Sequence, residues 1–125
     1  TKSCKQFPKS ILKSMDWSED LKQLLVKTLI MAGGFDPVTP ASVMAEMDAL
    51  APNSYLFTNA HTGHGSYFEL KDCSVKLLKE FTISDSFAGV SKIAGSELCQ
   101  KAPDTVEESI YIKWHERIGM KNSSF

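Results

Sequence analysis

The chain has 125 residues, 42% of them hydrophobic and 23% charged, with a formal net charge of −1 at pH 7. That is the make-up of one globular domain, or of one piece of a larger domain, and it excludes a disordered tract. Near-neutral charge gives no pull toward nucleic acid or an anionic membrane surface, and no apolar run reaches the roughly 20 residues of a membrane span, so neither partner is expected.

The chain begins at Thr1, with no initiator methionine and no signal-peptide pattern, which reads as a processed chain, an expressed piece or a fragment. Its cysteines, Cys4, Cys73 and Cys99, lie too far apart for a zinc ribbon or a CxxC redox motif. An odd count leaves at least one thiol unpaired within the chain or paired outside it. Composition alone leaves the redox compartment open.

In chain order, residues 1–26 are a polar, basic lead-in in which Asp20–Leu25 forms a helical turn or two. "KTLIMA" (Lys27–Ala32) reads as a short buried strand closed by Gly33-Gly34. After "GGFDPVTP" comes a helix: Thr39 is suited to cap it, Pro40 to open it, and Val43, Met44, Met47 and Leu50 recur at helical spacing as core positions. Pro52-Asn53 ends it, and "SYLFTNA" (Ser54–Ala60) is the next strand. The Gly-rich loop "HTGHGS" opens a helix over Tyr67–Phe81, with Leu70, Cys73, Val75, Leu77, Leu78 and Phe81 on its apolar side. Residues 83–125 form a tail: a punctuated loop with a possible short helix, then "TVEESIYIKWHERIGM" (Thr105–Met120), which suits a helix or a strand.

Strand, helix, strand, helix is α/β organisation, and strands joined by a helical crossover run parallel. Two strands make a thin sheet, because a parallel sheet is covered on both faces and its strands have neighbours. The pattern suits the closing units of a larger doubly wound sheet, occupying residues 27–82. In such sheets reactive groups collect at the carboxyl ends of the strands. Asp36 lies just past one strand and His64 just past the next, one helix-plus-strand unit later. Pro37 biases Asp36 toward extended backbone, while Gly63 and Gly65 leave room around His64. Such a pair fixes an imidazole tautomer, stabilises the imidazolium and leaves the other ring nitrogen to act as a base.

"LIMAGGFDPVTP", "APNSYLF" and "AHTGHGS" together closely resemble the C-terminal segment of tripeptidyl-aminopeptidase-like α/β-hydrolases, relatives of proline iminopeptidases. The resemblance covers about Lys27 to Cys99 and fades beyond Gln100. It implies that the chain is the C-terminal portion of an α/β-hydrolase fold, with Asp36 as the triad aspartate and His64 as the triad histidine. It implies a serine exopeptidase that releases short N-terminal peptides or single residues, with a peptide or ester substrate and no cofactor. It implies a Cys73–Cys99 disulfide, with Cys4 free or partnered elsewhere, and a secreted or periplasmic location. The family's nucleophile is a serine in G-x-S-x-G upstream of the aspartate. This chain has none, since "GVSKI" (Gly89–Ile93) lacks the final glycine and follows the histidine. The partner implied is an upstream part of the hydrolase carrying the serine, the oxyanion hole and the substrate-selecting cap. Without it the chain is expected to be inactive.

Blander readings stand beside these. Asp36 taken alone suits an Asx turn. Cys73 and Cys99 also suit a buried helix thiol and an exposed tail thiol. His61 and His64 form H-x-x-H on a loop with no further ligands at metal spacing, so His61 is read as a loop residue near the site. Gly33-Gly34 does not lead directly into a helix and so makes no phosphate cradle. Trp17 and Trp114 sit in no pattern, and "HER" (His115–Arg117) suits a solvated helix face. A non-catalytic structural or binding module derived from the α/β-hydrolase fold is the competing reading of the whole.

Overall fold

In the computed structural model, residues 16–103 are described. In chain order the elements are α1 (Ser18–Lys22), β1 (Thr28–Gly33), α2 (Ala41–Leu50), β2 (Ser54–Asn59), α3 (Ser66–Glu69), α4 (Lys71–Ile83), α5 (Ala88–Ala94) and α6 (Glu97–Gln100). Cys4, Trp114, His115–Arg117 and the Thr105–Met120 segment lie outside the described residues.

The two strands pair in parallel from Thr28 opposite Ser54 to Gly33 opposite Asn59. Successive side chains of a strand point to opposite faces. Leu29 and Met31 of β1, opposite Tyr55 and Phe57 of β2, accordingly pack on one side against a core of Leu70, Cys73, Leu77, Val90, Ala94 and Cys99. α2 packs against both strands, but none of its residues is fully buried. Lys27, just ahead of β1, donates from Nζ to the carbonyls of Phe81 and Ser84 and stands 4.5 Å over the Phe81 ring. A cation there meets the carbonyls left open at the end of α4 and ties that end to the start of the sheet.

Several sequence expectations are corrected. The helix expected over Tyr67–Phe81 is two helices, α3 and α4, because Leu70 (φ −120°, ψ 54°) leaves the helical region between them. Ser74, not Val75, lies on the buried side of α4, and Leu78 and Val43 are only partly covered, exposed at 37% and 43%. The segment expected as loop with a short helix contains two helices, α5 and α6, and both contribute to the core. Val90 and Ala94 of α5 sit on one helical face, a periodicity masked in the sequence by the surrounding Ser and Gly. Thr39 does not cap α2: Pro40 occupies that position with no side-chain cap, and Ala41 is the first helical residue.

Cys73 and Cys99 are bonded, with Cα atoms 5.1 Å apart and a sequence separation of 26. The bond fixes α6 to α4 inside the core. In the chain-entropy account a loop of this size gains between about 3 and 4 kcal/mol.

Gly33, the last residue of β1, shows why the strand ends as it does. A Cβ there would lie 2.2 Å from the Gly63 carbonyl oxygen and 2.6 Å from that of Thr62, both backbone atoms that cannot swing aside. The loop after β2 therefore lies directly across the end of β1. Gly33→Ala should lower stability by about 3 kcal/mol through this overpacking. Gly95→Ala is the control, since its Cβ meets nothing nearer than 3.6 Å. Urea midpoints for the two variants check this; equal midpoints would mean that the loop does not press on the strand end.

Candidate active site

The loops leaving the two strands are joined by backbone hydrogen bonds. Gly34 N donates to Asn59 O at 2.8 Å, and Phe35 N donates to Thr62 O at 2.8 Å. Backbone bonding thus continues past both strand ends, the second bond two residues out of the strand register, and carries Asp36 and His64 to one place. His64 Nδ1 lies 2.9 Å from Asp36 Oδ2.

The Asp36 carboxylate is held on both oxygens. Oδ1 accepts from Val38 N at 2.8 Å and Thr39 N at 2.9 Å, while Oδ2 accepts from the Thr39 hydroxyl at 2.6 Å and faces His64. The Asx turn and the histidine-orienting role, opposed in the sequence reading, therefore coexist, with one oxygen serving each. Proline supplies no N–H, so with Pro37 next in the chain the first N–H groups available are those of Val38 and Thr39. Only 5% of the Asp36 side chain is exposed, against 47% of His64. Burial alone would raise the Asp36 carboxyl. The Thr39 hydroxyl and N–H, His64 and the Val38 N–H outweigh it and hold the group down at about 2.

The histidine loop has its own supports. Gly65 takes φ +83°, left-handed backbone that suits glycine, and turns the chain from His64 into α3. Gly63 N donates to Glu69 Oε2 at 2.6 Å, and His61 N to Asn59 Oδ1 at 2.7 Å. With Nδ1 turned to the carboxylate, Nε2 of the half-exposed ring has no partner among the described residues. A histidine so held presents one fixed nitrogen as a proton acceptor. His61 is exposed, and among the described residues no group of three or more His, Cys, Asp or Glu is placed to hold a metal ion.

The sequence reading missed Thr39, taken for a helix cap, as well as Asn59 and Glu69. For Thr39 the signal was available: a hydroxyl three residues after an aspartate, with prolines between and after, is suited to close on that carboxylate. Asn59 ends an apolar strand as its one amide side chain, a weaker signal. Glu69 carried none.

The small parallel two-stranded sheet with its helices fits part of an α/β-hydrolase fold. Residues 1–87 match the family described as TAP-like protein, and the chain belongs to that α/β-hydrolase family. It is 34% identical over 76 residues to proteins named pimeloyl-[acyl-carrier protein] methyl ester esterase from Legionella pneumophila strains Corby and Lens, and 33% identical to that of strain Paris. The match takes in 60% of this chain and 31% of each relative, so the chain spans about a third of the length of the curated relatives it matches. No solved structure matches it.

The depressed Asp36 carboxyl sets a pH dependence. A group with a folded value of about 2 and an ordinary value of 3.8 stabilises the fold above about pH 4. That stabilisation declines as pH falls and is gone once pH drops below the folded value, a loss of about 2 kcal/mol. Denaturant midpoints at pH 5 and pH 2 should therefore fall further for the wild type than for Asp36→Asn. An equal fall in both would contradict the carboxylate clamp.

Proposed function

We propose that the chain supplies the acid–base half of a Ser-His-Asp triad, in an α/β-hydrolase whose nucleophilic serine is carried outside these residues. The observation that carries this reading is the Nδ1–Oδ2 contact of 2.9 Å, with Nε2 left without a partner among the described residues. In the assembled site the serine oxygen attacks a carbonyl carbon while His64 Nε2 takes its proton. The Nδ1–H donates to Asp36 throughout, so the imidazolium forms beside a carboxylate already ionised. His64 then returns the proton to the departing alcohol or amine, and water repeats the sequence on the acyl-enzyme.

The substrate carbonyl belongs to a carboxylic ester or a peptide. The relatives' printed name, a methyl ester esterase, favours the ester. The peptide, as an exopeptidase substrate, rests on the resemblance of the "GGFDPVTP" and "GHG" segments to aminopeptidase-like hydrolases. Selection between them lies with the parts that complete the site. Val38, two residues after Asp36, and Phe68, four after His64, are exposed at 66% and 82% and give such parts an apolar surface to meet. No cofactor enters this chemistry.

The full-length protein should label with a fluorophosphonate probe on a serine outside this chain. His64→Ala and Asp36→Asn should each slow labelling and turnover by about three orders of magnitude or more. The 125-residue chain alone should not label. Undiminished labelling in His64→Ala would leave the non-catalytic module as the better reading. Turnover of p-nitrophenyl esters against aminoacyl and tripeptidyl anilides separates the two substrate classes.

The same reading places the protein outside the cytosol, secreted or periplasmic, because paired cysteines persist in oxidising compartments. Its support is the Cys73–Cys99 bond. Protein taken directly from its native compartment should resist alkylation at both cysteines until it is reduced. Alkylation at either without reductant would place it in a reducing compartment.

A further inference from the structure

Asn59 is 1% exposed and stands where three segments meet. Its Nδ2 donates to Cys99 O at 2.8 Å and to Lys101 O at 3.1 Å, and its Oδ1 accepts from His61 N at 2.7 Å. Its own carbonyl accepts from Gly34 N at 2.8 Å, on the loop that leads to Asp36. One side chain thus touches the histidine loop and the segment after α6, while its backbone touches the aspartate loop.

The segment after α6 needs an anchor to be useful in this way. α6 has four residues, too few to hold a position by itself. The buried bond from Cys99 to Cys73 on α4 fixes it, helped by Gln100 Nε2 donating to Ala94 O at 2.7 Å. The two carbonyls presented to Asn59 are therefore held by the disulfide, and Asn59 in turn holds the first N–H of the histidine loop. The chemistry also explains the residue type. Two carbonyls and one N–H converge here, requiring two donors and an acceptor from one short side chain, which asparagine supplies and aspartate does not.

We propose that Asn59 is a positioning residue that couples the disulfide-anchored segment at Cys99–Lys101 to the His64 loop, so that the bond to Cys73 sets the placement of the imidazole as well as the stability of the core. The consequence for catalysis rests on the reading of His64 as the base; the coupling itself does not.

Asn59→Asp keeps the acceptor for His61 N–H and removes both donors to the tail. Cys73→Ala with Cys99→Ala removes the anchor. Amide hydrogen exchange in the full chain should quicken over residues 61–65 in either variant by roughly tenfold more than in β1, β2 and α4, whose exchange rises only as far as global stability falls. A His64 Nδ1 proton resonance, expected in the wild type from its contact with Asp36, should weaken or vanish from the NMR spectrum in both. Combining the variants should add little, because both break the same linkage. Unchanged exchange in the loop, an even rise across the whole chain, or effects that simply multiply would overturn the proposal. If Asn59→Asp does not fold, the alanine pair carries the same loop-specific test, and vice versa. Exchange needs no activity, so a failed labelling experiment with intact coupling would sink the hydrolase reading and leave this one standing.

Discussion

Everything in this molecule that bears on chemistry depends on one hydrogen bond, from His64 Nδ1 to Asp36 Oδ2, and on the parallel register that makes it possible. Gly33 sits opposite Asn59, and the loops that follow stay zipped for two further backbone bonds. A slip of one residue in this pairing would turn every strand side chain to the opposite face. It would also separate the carboxylate from the ring. The contact is therefore a property of the sheet before it is a property of two side chains.

Around that bond the structure removes freedom one degree at a time. Two N–H groups and a hydroxyl fix the carboxylate, so the oxygen facing His64 does not rotate away. Glycine at 33 lets the histidine loop press on the strand end, glycine at 65 turns the chain out again, and Glu69 and Asn59 hold the loop between. The disulfide and the short helices α5 and α6 extend this support into the core. Preorganisation of this kind is what an acid–base pair requires, since a base that wanders spends its time out of reach of the proton. A structural module would tolerate a looser loop.

The frame was legible in the sequence because its signals are local. An apolar run ended by Gly33-Gly34 and another ended at the "HTGHGS" loop are enough to place two parallel strands, and Asp36 and His64 follow from their positions just beyond. What was not legible depends on contacts between distant segments. Thr39 looked like a cap because the helix begins nearby; only the carboxylate's position shows where its hydroxyl goes. Leu70 is a good helix former, and nothing in its neighbourhood announces that it breaks the helix between Glu69 and Lys71. Asn59 takes its meaning from carbonyls 40 and 42 residues away. The α5 stripe of Val90 and Ala94 is only two residues deep, too short a period to separate from loop.

The central claim is that His64 Nε2 faces the nucleophile of a hydrolase. The direct measurement is a crystal structure of the full-length protein carrying a covalent phosphonate. The account predicts a modified serine whose oxygen lies within hydrogen-bond reach of His64 Nε2, about 2.6 to 3.2 Å, with the Asp36 contact intact. A modified serine served by a different histidine, or no modified serine on the face that His64 presents, would contradict it.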